Sequence, residues 1–271
     1  MIGVFDSGVG GLSVLRAIRA QMPGLDVAFF ADQAHVPYGP RSLEEVRSFS
    51  EAITCFLLDQ GAQLVVVACN AASAASLHYL RQRFPSVPFV GMEPAVKPAA
   101  ETTHSKVVGV LATPATFQGS LYASVVERFA KDVRILQDTC PGLVIEIEQG
   151  HLDGSHTRVI LEKALRPMLE QGIDTIVMGC THYPFVIPLI SQIAGPGVRV
   201  IDPAPAVARQ AARLLEQHGW LVEGGEPGKV RYFTSGDPKG FSSLASRLIG
   251  EPVQAEGAEW VSGVVRALTA A

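Results

Sequence analysis

Short runs rich in Val, Ile and Leu alternate along this chain with stretches whose apolar residues recur every three or four positions. Ile2 to Phe5 is followed by the turn Asp6-Ser7-Gly8-Val9-Gly10-Gly11, and then Leu12, Val14, Leu15 and Ile18 fall at helical spacing. Asp26 to Ala31 predicts a second strand, ending in the Pro- and Gly-rich loop Asp32 to Pro40, which would cover the strand ends. Ser42 with Glu45 three residues on forms a capping box, opening a helix that runs to about Gln60. Leu64 to Ala68 predicts a strand that delivers Cys69, with a helix from Ser73 to Arg83 behind it and a strand at Phe89 to Met92.

A second unit follows the same plan. Lys106 to Leu111 predicts a strand, Ala112 to Thr116 a turn, Phe117 to Phe129 a helix, and Val133 to Leu136 a strand. The segment Cys140 to Gly150 predicts a further strand, His156 to Gln171 a helix, and Thr175 to Met178 a strand presenting Cys180. The chain closes with a helix over Ala206 to His218, a strand over Val230 to Thr234 and a helix near Phe241 to Leu248.

Strand-helix alternation of this kind implies an α/β fold with mainly parallel sheets covered on both faces. The segments Glu93-Pro94-Ala95 and Asp202-Pro203-Ala204 share an acid-Pro-Ala start after a strand and are expected to be paired crossovers at a hinge. The expected division is a discontinuous first domain, 1–93 plus 204–271, and a second domain, 94–203, related by pseudo-twofold symmetry with a cleft between them.

A chain of 271 residues, 48% hydrophobic, can bury two cores. Its net charge of -4, with scattered Lys and Arg, excludes the basic footprint of a nucleic-acid binder and favours a small soluble substrate. No apolar run approaches the roughly 20 residues of a membrane helix, and the opening residues lack a signal core, so a cytoplasmic location is expected. The four cysteines have no C-x-x-C spacing, so neither disulfides nor a metal site is expected. The glycine turn lacks the third glycine of a dinucleotide fingerprint and the lysine of a P-loop; its N–H groups are better suited to approach a carboxylate.

The candidate chemistry lies in two matched positions. In Leu64 to Cys69 and again in Thr175 to Cys180 an apolar run, the mark of a strand buried on both faces, stops at a cysteine followed by polar residues. A lone cysteine there reads as a small buried hydrophobe. Two in matched places at strand ends, where α/β sheets bind ligands, read as chemistry. Two thiols on opposite sides of one ligand suit proton exchange at a carbon, one sulfur removing the proton and the other supplying one. An ordinary thiol pKa near 8.5 lies close enough to ambient pH for that work. Asp6 and His182 are candidate neighbours of the thiols, and Ser7, Asn70, Thr181, Thr113 and Thr116 are candidate hydrogen-bonding groups.

At Phe5 to Gly11, Tyr38-Gly39, Cys69-Asn70-x-Ala72-Ser73 and Gly179 to Pro184 the chain resembles the glutamate racemase family, over essentially its whole length. The resemblance implies cofactor-independent interconversion of L- and D-glutamate for bacterial peptidoglycan, by two α/β domains with the active site between them. It implies Cys69 and Cys180 as the two bases, assisted by Asp6 and His182, with Glu148 a further acidic residue. It places Ser7, Tyr38, Gly39, Asn70, Ala71, Thr116 and Thr181 at the substrate, and allows a second copy of the chain in a homodimer. Ala71 departs from the family's usual Thr, which opens the alternative of another amino acid such as aspartate; a Pro usual near Val144 to Glu146 is also absent, which leaves Glu146 as an alternative to Glu148. Two other classes stand beside this one: a hydrolase with Cys180 as nucleophile and His182 as its base, which leaves Cys69 without a role, and a catalytically silent sensor.

Overall fold

The computed structural model of the protein describes residues 1–221 and 226–268. In chain order the elements are β1 (Ile2–Asp6), α1 (Leu12–Gln21), β2 (Val27–Ala31), α2 (Leu43–Asp59), β3 (Leu64–Val67), α3 (Asn70–Arg83) and β4 (Phe89–Gly91). There follow α4 (Val96–Thr102), β5 (Val107–Ala112), α5 (Pro114–Gln118), α6 (Ser120–Phe129), β6 (Arg134–Asp138), α7 (Leu143–Glu148), α8 (Ser155–Glu170) and β7 (Thr175–Gly179). A 3-10 turn at Tyr183–Val186 leads to α9 (Ile187–Ala194), β8 (Arg199–Ile201), α10 (Ala204–Gln217), β9 (Val230–Thr234), α11 (Pro238–Ile249), β10 (Ala255–Val261) and β11 (Val264–Ala267).

Two sheets result. The larger has the order β11-β10-β9-β2-β1-β3-β4 and the smaller β6-β5-β7-β8. Among the described residues every pairing is parallel except the terminal hairpin of β10 with β11. The segment β2-β1-β3-β4 has the same order as β6-β5-β7-β8, so β1 corresponds to β5 and β3 to β7. In each, the chain leaves its first strand to one side and returns on the other, which opens a crevice at the carboxyl ends of the first and third strands. At one crevice Asp6 ends β1 and Cys69 follows β3; at the other Ala112 ends β5 and Cys180 follows β7.

Period-two alternation distributes the strand side chains between faces. On the larger sheet Phe5, Phe30, Val65 and Val67 pack with Ile53, Leu57 and Leu80 of α2 and α3. Ile2, Val4, Phe29 and Val66 pack on the other side with Leu15, Ile18, Ala211, Leu215 and Phe241 of α1, α10 and α11. On the smaller sheet Val108, Val110 and Val177 meet Val96, Tyr122 and Val125 of α4 and α6, while Ile176 and Met178 meet Leu161, Leu165 and Ile190 of α8 and α9.

The Ser42–Glu45 capping box is present in both directions, and α2 starts there. The structure departs from the expected elements in four places. Residues 143–148 form α7 instead of a strand: Gly142 enters with φ 90°, and Leu143 and Ile147, one helical turn apart, are both fully buried while Ile145 is 51% exposed. Burial at i and i+4 outweighs the β-branched composition. The hairpin β10–β11 was not expected at all, because few of its residues are buried and the alternation is correspondingly faint. The region read as a crossover near 93–99 contains the start of α4, and the expected helix 117–129 is broken at Gly119 into α5 and α6.

Candidate active site

Cys69 and Cys180 line one small pocket. One wall comes from the larger sheet and its loops: Ser7, Pro37, Tyr38, Gly39, Cys69, Asn70 and Ala71; the other comes from the smaller: Thr113, Val144, Cys180, Thr181 and His182. The sulfur atoms reach this space because each follows the third strand of its sheet. Cys69 also occupies the N-cap of α3, where its Sγ accepts from the Ala72 N–H at 3.5 Å and lies 4.0 Å from Ser7 Oγ. Burial, with the Asp6 carboxyl close by, pushes the Cys69 thiol well above its ordinary pKa, against the pull of the Ala72 N–H.

Asp6 is fully buried at the end of β1. Its Oδ2 accepts from the N–H groups of Gly8 (3.3 Å) and Gly11 (2.9 Å), and its Oδ1 from Thr181 Oγ1 (3.3 Å). Burial raises its pKa, and His182 and the Gly11 N–H oppose that rise. Behind the other sulfur, His182 Nδ1 is 3.8 Å from Cys180 Sγ and its Nε2 is 2.6 Å from Glu148 Oε1. Burial alone would neutralise this imidazole, but Cys180 and Glu148 on its two nitrogens hold its pKa well above the usual histidine value. Burial likewise acts to raise Glu148, and the His182 imidazole, the Val9 N–H and the Gln33 amide together bring it below the usual carboxylate range. His182 and Glu148 thus form an ion pair.

The glycine turn serves these side chains. Its N–H groups meet carboxylates, as the sequence suggests, but these belong to the protein: Asp6 for Gly8 and Gly11, and Glu148 Oε1 for Val9 at 2.7 Å. A Cβ on Gly8 would come within 1.9 Å of Glu148 Oε1, and one on Gly10 within 2.4 Å of His182 Nδ1, so only glycine lets the turn lie this close. Ser13 Oγ adds a bond to the Thr181 carbonyl at 3.0 Å. These contacts join the two sheets at the pocket's rear.

Of the residues expected at a substrate, Ser7, Tyr38, Gly39, Asn70, Ala71 and Thr181 face the pocket. Thr116 does not line it; it stands behind Thr113, their hydroxyls 3.3 Å apart, and Thr113 takes the pocket-lining place. The Tyr38 hydroxyl donates to Asp32 Oδ2 at 2.6 Å. Asn70 is 3% exposed, and among the described residues neither its Nδ2 nor its Oδ1 has a hydrogen-bond partner. Glu148, at the end of α7, is turned to the His182 side, whereas Glu146 bonds the exposed His151 and His156 instead. Asp32 and Gln33 carry no motif in the sequence; the one available signal is that Asp32 follows the carboxyl end of β2 as Asp6 ends β1. Gln33 Nε2 donates to Glu148 Oε2 at 3.1 Å.

A family model described as Asp/Glu/hydantoin racemase matches residues 2–211. The chain belongs to this family. Among similar members, a glutamate racemase of Pseudomonas aeruginosa is 50% identical over 251 residues, covering 93% of this chain and 94% of its own. The crystal structure of a glutamate racemase isoform from Bacillus anthracis superposes with a TM-score of 0.85 at 32% identity, covering 97% of this chain and 98% of its own. That of the Francisella tularensis glutamate racemase, in complex with D-glutamate, does so at 0.82 and 28%, covering 97% of each. The racemase fold is therefore shared over nearly the whole chain, and the expected α/β architecture with mostly parallel sheets holds. Among the described residues no helix is long and apolar enough to cross a membrane.

Proposed function

We propose that this racemase-family protein interconverts L- and D-glutamate in the cytoplasm by a two-base mechanism, Cys69 and Cys180 acting on opposite faces of Cα. The observation that carries the reading is the convergence of two strand-end sulfurs, one from each sheet, on a single small pocket. On this reading 1–93 with 204–271 forms one domain and 94–203 the other; residues 222–225 and 269–271 of the first lie outside the described residues. D-glutamate so formed would supply peptidoglycan synthesis.

One sulfur, as thiolate, takes the Cα proton while the C–H electron pair remains on the substrate carbon; the opposite thiol then delivers its proton to the other face. The raised Cys69 favours the thiol, the donor form, at rest. A cationic His182 is placed to hydrogen-bond Cys180 as a thiolate, and Asp6 stands beside Cys69 to exchange its proton. The scheme calls on no cofactor. General acid-base catalysis supplies about 10²–10⁴-fold, roughly 3–5 kcal/mol. Fixed donors must add to that, and the unpaired Asn70 amide is one in position to bind substrate.

In D₂O, glutamate incubated with the protein should acquire deuterium at Cα as its optical rotation decays. Cys69→Ser and Cys180→Ser should each abolish racemisation yet still eliminate a leaving group from a substrate analogue, each from a different enantiomer. Action of both variants on the same enantiomer would overturn the opposed-face assignment. The Cys180–His182–Glu148 alignment also favours a second reading, a cysteine hydrolase. Retained turnover in Cys69→Ser would select it. Parallel assays with aspartate test the effect of Ala71 on substrate choice.

A further inference from the structure

The Asp32 carboxylate is fully buried and meets four side chains from three parts of the chain. Oδ2 accepts from the Tyr38 hydroxyl at 2.6 Å and from His35 Nδ1 at 2.9 Å; Oδ1 accepts from Ser235 Oγ at 2.7 Å and from Trp260 Nε1 at 2.8 Å. An ionised carboxylate only accepts, an indole N–H only donates, and the phenol here donates, so the set is matched in polarity. Around it His35 stacks on Phe49 with centroids 4.0 Å apart, and Trp260 meets both rings edge-on at 4.8 and 5.6 Å.

Trp260 lies on β10 of the C-terminal hairpin, beyond the residues 2–211 that match the family model. Tyr38 and Gly39 lie at the other end of the Asp32 loop, on the wall of the cysteine pocket. One buried carboxylate therefore connects a peripheral strand to the rim of the reaction space. We infer that Trp260 is a positioning residue: through Asp32 it sets where Tyr38 and Gly39 stand, and so how tightly the pocket holds its amino acid. The inference rests on the proposed function for its kinetic consequence and on the hydrogen-bond geometry alone for its structural one.

Trp260→Phe keeps an aromatic ring beside His35 and Phe49 and removes the N–H together with part of the bicyclic ring. Tyr38 and Gly39 line the pocket wall and carry no proton in the proposed reaction, so loosening them weakens ground state and transition state alike. KM for both glutamate enantiomers should rise fivefold or more while kcat changes less than twofold. Backbone hydrogen exchange over residues 33–41, measured without substrate, should quicken in this variant and stay unchanged over residues 112–116. Val264→Ser, at a half-exposed position on the same hairpin, should alter neither KM nor exchange. Unchanged exchange over 33–41 in Trp260→Phe overturns the inference, as does faster exchange with an unaltered KM. If the unsubstituted protein fails to racemise glutamate, the functional reading falls by itself, and the exchange comparison still decides whether Trp260 holds the loop.

Discussion

Asn70 shows most directly how single residues carry function here. A buried amide without partners costs about 1–3 kcal/mol of desolvation, and a bound amino acid can recover it. Asn70→Leu should therefore leave the thermal midpoint unchanged or higher while lowering kcat/KM tenfold or more, a pairing that calorimetry and racemisation assays would read together. The His182–Glu148 pair makes a different prediction. The pKa of Glu148 is lowered on folding, so its contribution is complete above the usual carboxylate value of about 4.3 and is lost as pH falls through the lowered value. That of His182 is raised, so its contribution is complete below about 6.5 and drains away as pH climbs through the raised value. The stability difference between the native protein and His182→Gln should be largest at about pH 4.5–6.5 and shrink on either side, as urea titrations across pH would show.

At the level of elements, local rules worked where the signal was local. Ser42 and Glu45 start α2 through contacts three residues apart, and Ser42→Ala should cost about 1 kcal/mol in urea unfolding with kcat unchanged, since the cap lies on the exposed end of the helix. The two buried-strand runs ending at Cys69 and Cys180 were legible for the same reason: an unbroken apolar stretch needs no knowledge of its neighbours. The segment 143–148 was not legible as a helix, because Val144, Ile145 and Ile147 carry strand propensity and the decision came from Leu143 and Ile147 finding a core to enter. The hairpin leaves almost no periodic signal in the sequence because Ala258 and Val265 alone give it a buried face.

For the whole molecule, the pocket exists because two sheets of the same strand order turn their crevices toward each other. Bonds such as Thr181 to Asp6 and Val9 to Glu148 hold them there. A ligand seated between the walls stabilises the form in which both are in place. At about 100 times its Kd, glutamate of either hand should add about 2.7 kcal/mol, a rise of roughly 5 °C or more in the thermal midpoint. A rise with one enantiomer alone would count against a pocket that serves both.

Strand-helix alternation, the positions of both cysteines, the helix cap and the glycine turn were all present in the order of residues, because each depends on neighbours a few positions away. Thr113 in place of Thr116 at the pocket, the pairing of Glu148 with His182, and the Asp32 carboxylate shared by Tyr38, Ser235 and Trp260 depended on folding. Those contacts join residues up to 228 positions apart, and only packing the sheets and the hairpin together fixes which polar atoms meet.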